Sequence, residues 1–200
     1  MRVALVDYGA GNLQSVRNAL KAAGAENILV TADPDAVRAA DRIVLPGVGA
    51  FAHCMGALSS IDGMVDALNE ATGPAAKPFL GICVGMQLMA QAGEEHGTHA
   101  GLGWVNGRVR MMDGSTSVKI PHMGWNDVVP VQHHPLIKPG EAYFLHSFAY
   151  DGDDVIATTE HGGSVVAAIG RDNRIGVQFH PEKSQKYGLD MLARFLEWKP

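Results

Sequence analysis

The stretch Pro78-Phe79-Leu80-Gly81-Ile82-Cys83-Val84-Gly85-Met86-Gln87-Leu88-Met89 decides the fold. Its first half, Pro78 to Ile82, is a short apolar run, the pattern of a strand buried on both faces. Its second half opens a segment, Val84 to Gln91, that reads as a helix. A cysteine stands at the junction, with a glycine two residues to either side. A strand that passes directly into a helix is the repeating step of a parallel sheet, so the chain around it should alternate in the same way.

It does so towards the N-terminus. Arg2 to Val6 reads as a buried strand, and Leu13 to Ala23 as a helix with Leu13, Val16 and Leu20 on one side and Gly24 as its stop. Asn27 to Thr31 is a second strand. Asp33-Pro34 reads as an N-cap followed by proline in the first turn, opening a helix to Ala40. Arg42 to Leu45 is a third strand, and Phe51 to Asn69 is helical. Beyond Gln91 the pattern changes. Val105 to Met111, Gly124 to Val129, Ala142 to Leu145, Asp154 to Thr159, Ser164 to Ile169 and Ile175 to Phe179 all read as strands, punctuated by glycine, proline and aspartate. Helical spacing returns only at Tyr187 to Trp198, where Leu189, Leu192, Phe195 and Leu196 form one stripe. The expected fold is α/β: one domain over residues 1–200, with an open, mixed, mostly parallel sheet flanked by helices.

Composition narrows the function classes. The 200 residues are 46% apolar and 18% charged, the balance of a globular chain. Lys and Arg number 16 against 21 Asp and Glu, a net charge of −5 with no basic cluster, which argues against nucleic-acid binding. Two cysteines do not make a disulfide framework. The first residues hold too few apolar positions for a signal-peptide core, and the longest apolar segment, Pro78 to Ala90, is too short for a membrane span. The expected location is the cytoplasm.

Gly81-Ile82-Cys83-Val84-Gly85 has the spacing of a nucleophile elbow with cysteine in place of serine. A sharp strand-to-helix turn lifts the nucleophile clear of the sheet, and a Cβ at either glycine would crowd it. Cys83 would stand at a helix start, where unpaired N–H groups favour a thiolate, and the Val84 N–H would face a developing oxyanion. Gly176-Val177-Gln178-Phe179-His180-Pro181-Glu182 offers the base. Pro181 biases His180 towards an extended conformation, so His180 and Glu182 should face one side, with the carboxylate fixing the imidazole tautomer. A third segment, Leu45-Pro46-Gly47-Val48-Gly49-Ala50-Phe51, also follows a parallel strand and could turn backbone N–H groups into a cleft. All three lie at the C-terminal ends of strands, where open α/β sheets place their sites.

Together these motifs resemble the class I glutamine amidotransferases, and most closely those that serve as glutaminase subunits of imidazole glycerol phosphate synthases. The likeness also runs through Val6-Asp7-Tyr8-Gly9-Ala10-Gly11-Asn12-Leu13, Gly101-Leu102-Gly103-Trp104, Pro121-His122-Met123-Gly124-Trp125-Asn126 and Tyr143-Phe144-Leu145-His146-Ser147. It implies a flavodoxin-like fold, a Cys83–His180–Glu182 triad, an oxyanion hole from Val48, Gly49 and Val84, and L-glutamine held by Gln87, Glu95, Ser147 and Phe148. It implies no cofactor and no metal. It further implies a heterodimer with a (β/α)8-barrel cyclase subunit faced by Asn12 and Trp125. Ammonia would pass there directly, because free ammonia in neutral water is mostly ammonium, and would yield imidazole glycerol phosphate and an aminoimidazole carboxamide ribotide in histidine biosynthesis. Two positions depart from the family's usual residues: Val84 stands for leucine and Phe148 for tyrosine. Two alternatives remain at this point: the glutaminase subunit of another synthase, such as anthranilate synthase, or a regulatory subunit with a silent site.

Other signals carry less. Gly9-Ala10-Gly11 lacks the third glycine of a dinucleotide fingerprint, with Gln14 in its place. His133-His134, His96 and His99 read as loop residues, His53 and Cys54 as surface or core filling, and Met86 and Met89 as core.

Overall fold

The computed structural model of the chain describes residues 1–113 and 118–200. The first half runs β1 (Arg2–Val6), α1 (Leu13–Ala22), β2 (Asn27–Thr31), α2 (Pro34–Ala39), β3 (Arg42–Gly47), α3 (Phe51–Ser60), α4 (Met64–Thr72), β4 (Phe79–Cys83) and α5 (Val84–Gln87). The second half runs β5 (Ala92–Gly93), β6 (His99–Ala100), β7 (Gly107–Met111), β8 (His122–Pro130), β9 (Gly140–His146), β10 (Phe148–Gly152), β11 (Val155–Glu160), β12 (Ser164–Arg171) and β13 (Arg174–Val177). A 3-10 turn (Pro181–Lys183) and α6 (Gln185–Glu197) follow.

A nine-stranded sheet has the order β2-β1-β3-β4-β13-β12-β11-β8-β9. The ladders from β2 to β13 are parallel, which places the ends of β3, β4 and β13 side by side. The remaining ladders are antiparallel. The expected parallel character therefore holds for the half that carries the site. Beyond it, turns as short as Asp172-Asn173 between β12 and β13 can join only antiparallel strands.

The central strands β3 and β4 are buried throughout, which explains their unbroken apolar runs. On α1, Val16 and Leu20 face the core, and Asn12 caps the helix by accepting a hydrogen bond from the Ser15 N–H at 3.3 Å. Asp33 caps α2 in the same way at 2.9 Å, with Pro34 in the first turn. On α6, Met191, Leu192, Phe195 and Leu196 are buried, each side chain of this size contributing roughly 1.5–3 kcal/mol.

A second, four-stranded sheet has the order β10-β7-β5-β6. Its strands β5, β6 and β10 were not expected from the sequence. Two are only two residues long. β10 begins directly after β9, with only Ser147 between them. The buried apolar residues of both sheets join in one core. Among the described residues no helix is long and apolar enough to cross a membrane.

Candidate active site

The elbow takes the predicted form. Cys83 has φ 54° and ψ −111°, a conformation a side-chain-bearing residue adopts only when its surroundings impose it. The glycines permit those surroundings. A Cβ at Gly81 would lie 2.6 Å from the Gly85 carbonyl oxygen, and one at Gly85 would lie 1.9 Å from the Leu45 carbonyl oxygen. Gly85 thus lets α5 seat directly on the backbone of β3.

The helix after the cysteine is shorter than expected. α5 ends at Gln87 rather than Gln91, because the carbonyls of Leu88, Met89 and Ala90 accept hydrogen bonds from Leu102, Trp104 and Gly103. A single turn has little macrodipole, so polarisation of the Cys83 sulfur falls mainly to its neighbours.

The principal neighbour is His180. Both side chains line one cleft of about 240 Å3. His180 Nδ1 is 2.8 Å from Glu182 Oε1, and the two side chains are only 3% and 2% exposed. Burial alone would lower the His180 pKa. Hydrogen bonds to Cys83 and Glu182, with the charges of both, outweigh it and hold the pKa up at about 9. The surroundings of His180 therefore favour the protonated imidazole, with Nδ1 against Glu182. The expected extended path from His180 to Glu182 is replaced. His180 is extended, but Pro181 opens a 3-10 turn that folds Glu182 back against the ring. Ser184 Oγ donates to the His180 carbonyl at 2.6 Å and locks that turn.

The same cleft is lined by Val48, Gly49, Val84, Gln87, Glu95, Ser147 and Phe148, so the residues expected to hold glutamine and its oxyanion converge there. Gln87 Nε2 donates to the Phe148 carbonyl and to Gln178 Oε1, both at 3.0 Å, leaving its own Oε1 for a ligand. Glu95 Oε2 accepts from the Phe51 N–H at 2.9 Å, placing a carboxylate beside the 46–49 loop. Asn12 and Trp125 lie elsewhere. Asn12 is an exposed cap, and Trp125 is half-exposed on β8 with its ring 6.2 Å from that of Tyr143.

Sequence reading missed several groups. Gln178 is fully buried, with its Nε2 3.7 Å from Cys83 Sγ. It sits just past the end of β13, two residues before His180, a spacing that could have revealed it. Lys183 lines the cleft, with its Nζ 5.7 Å from the centre of the Tyr143 ring. His146 also lines it, in a chain of hydrogen bonds. Its Nδ1 reaches the Phe148 carbonyl at 2.9 Å, and its Nε2 meets His122 Nδ1 at 3.0 Å. Asn126 Nδ2 meets His122 Nε2 at 3.0 Å. Burial first, then repulsion from neighbouring histidines, lowers the His122 pKa to about 3. Burial likewise takes that of His146 to about 4. Burial favours the neutral form of both rings, which link Asn126 of β8 to the cleft. His134 is packed against Trp198, and among the described residues no three His, Cys, Asp or Glu side chains are placed to hold a metal.

A strained thiol, an imidazole holding a proton against it and a buried carboxylate suit acyl transfer from an amide. The family model of the class-I glutamine amidotransferases matches residues 4–198. A protein of Zymomonas mobilis named imidazole glycerol phosphate synthase subunit HisH is 60% identical over 205 residues, covering 99% of this chain and 96% of that relative. A protein of the same name from Rhodopseudomonas palustris is 53% identical, with all of each chain covered. Among solved structures, a crystal structure of a glutamine amidotransferase superposes with a TM-score of 0.75 at 16% identity over 97% of each chain. The glutaminase domain of Trypanosoma brucei CTPS with bound acivicin gives 0.65 at 18%, covering 100% of this chain and 95% of that one. At those identities the likeness is one of fold.

Proposed function

The chain belongs to the class-I glutamine amidotransferases, and on that premise we propose that it is the glutaminase subunit of an imidazole glycerol phosphate synthase. It hydrolyses L-glutamine and passes the ammonia to a (β/α)8-barrel cyclase subunit. The observation that carries this reading is the meeting of Cys83 with a Glu182-backed His180 in one cleft.

In the reaction, Cys83 Sγ attacks the carboxamide carbon of glutamine. The carbonyl oxygen gains charge against N–H groups of the 48–49 segment and Val84. His180 gives its proton to the departing nitrogen, and ammonia leaves a glutamyl thioester on Cys83. His180, now neutral, takes a proton from water as that water attacks the thioester. Glutamate leaves with the thiolate restored and the imidazole protonated again. Glu182 keeps the second ring nitrogen protonated throughout. Glu95 meets the α-ammonium of the substrate, and the Gln87 Oε1 is turned to the same ligand.

The cyclase docks on the exposed apolar side chains of β8 and β9, where Met123 and Trp125 of β8 stand opposite Leu145 and Tyr143. An apolar patch of this kind beside a site marks a protein contact. The test is Cys83→Ala mixed with the barrel cyclase and supplied with either glutamine or an ammonium salt. Glutamine-driven turnover vanishes while ammonium-driven turnover persists. Turnover with glutamine would remove Cys83 from its role. A wild-type chain that neither binds nor activates the cyclase would remove the partner.

A further inference from the structure

Two buried donors that the mechanism does not use hold the segment from Pro46 to Gly49, the end of β3 and the residues after it. Tyr8 Oη donates to the Pro46 carbonyl at 2.7 Å. Cys54 Sγ donates to the Val48 carbonyl at 3.4 Å. Tyr8 also abuts the loop itself, since a Cβ at Gly47 would lie 2.7 Å from its hydroxyl. Cys54 is wholly buried on the first turns of α3, so its thiol reaches the loop from below and not from the cleft.

We propose that Tyr8 and Cys54 are positioning residues for amide hydrolysis: their bonds to the Pro46 and Val48 carbonyls pin, from behind, the peptides on either side of the one that carries the Val48 N–H, the second of them carrying the Gly49 N–H. The proposal rests on the function proposed above. In a trans peptide the carbonyl and the following N–H point in opposite directions. Anchoring the Val48 carbonyl on Cys54 therefore turns the Gly49 N–H away from α3, on the side where Gly49 lines the cleft. Anchoring the Pro46 carbonyl on Tyr8 fixes the Pro46–Gly47 peptide at the end of β3, the point from which the 48–49 segment departs. Both anchors need their protons, and both keep them. Burial raises the Tyr8 pKa far above its usual value and pushes that of Cys54 up to about 11. Oxyanion stabilisation depends on donors already aimed before charge develops, so a loosened peptide lowers turnover without changing substrate affinity.

The test uses Cys54→Ala, Cys54→Ser and Tyr8→Phe in the complex with the cyclase. Loss of either donor lowers kcat for glutamine hydrolysis by about fivefold, the value of one hydrogen bond, with KM unchanged. Ammonium-driven synthesis stays at the wild-type rate. Cys54→Ser keeps a donor and recovers most of kcat, which a role in packing alone would not do. Wild-type kcat in Cys54→Ala and Tyr8→Phe, or serine as slow as alanine, overturns the proposal. Amide exchange over residues 47–51 of the isolated chain gives a readout that does not depend on the assigned reaction. Exchange quickens in Cys54→Ala and Tyr8→Phe and is restored in Cys54→Ser; unchanged exchange also overturns the proposal. A wild-type chain that releases no glutamate from glutamine, with exchange behaving as stated, refutes the function and leaves the anchors standing.

Discussion

Gly85→Ala is the sharpest probe of the elbow. The added Cβ would sit 1.9 Å from the Leu45 carbonyl oxygen, whereas contacts under 3.0 Å are essentially never seen, so α5 must lift from β3 by about 1 Å. Overpacking a core by one methyl group costs roughly 1–3 kcal/mol, and a clash against backbone belongs at the upper end. For a chain of this length about 3 kcal/mol lowers Tm by roughly 6–12 °C. The displacement also carries Cys83 and the Val84 N–H away from where the reacting amide must lie. A misplacement of about 1 Å is worth about a hundredfold in rate. Gly56→Ala is the control, since its Cβ meets nothing within 4 Å on the exposed side of α3. It should stabilise by about 0.5–1 kcal/mol through helix propensity. Differential scanning calorimetry and glutamate release in the complex read both effects. A Gly85→Ala chain with wild-type Tm and wild-type kcat would refute the packing argument.

Glu182→Gln lets the amide donate to His180 Nδ1 and so favours the tautomer with its proton facing Cys83. Steady-state assays should show kcat down by about 10^4 with KM little changed. Stability should depend on pH at both ends. His122 and His146 have folded pKa values near about 3 and about 4, below the unfolded value of about 6.5, so protonation of the unfolded chain erodes stability as pH falls from 6.5 towards 4. His180 is raised to about 9, so its contribution is full below about 6.5 and is lost as pH rises through 9. Urea midpoints measured from pH 4 to 10 should fall on both sides, with the acid fall reduced in His122→Gln. Trp125→Ala should weaken cyclase binding by about 2 kcal/mol or more, roughly thirtyfold in Kd by isothermal titration calorimetry, while leaving the Tm of the isolated chain unchanged.

Much of this was legible in the sequence because local signals and global fold agree. The apolar runs of β1, β3 and β4 carry no alternation, as strands covered on both faces require, and Asp33-Pro34 opens its helix as a cap should. The cysteine between two glycines and the His-Pro-Glu run at the next strand's end sufficed to anticipate a shared cleft. What escaped notice was tertiary. The early end of α5 depends on carbonyls claimed by residues 102–104, distant in sequence from its caps. Two-residue strands such as β5 and β6 are too short for any periodicity. Glu182 reaches His180 through a turn rather than along a strand, a path that two-residue alternation does not display. The sequence shows no role for Cys54 beyond filling, because its partner is the Val48 backbone carbonyl, and none for His146, whose partners are the Phe148 carbonyl and a histidine on another strand.

Because water must release glutamate from the sulfur of residue 83, the acylated species should be caught in the act. The complex is quenched with acid during turnover of glutamine, digested and weighed by mass spectrometry. A glutamyl adduct on the peptide bearing Cys83, absent from the peptide bearing Cys54 and from Cys83→Ala, is the predicted result. Full turnover with no adduct on Cys83 at any quench time, or an adduct on Cys54 instead, would contradict it.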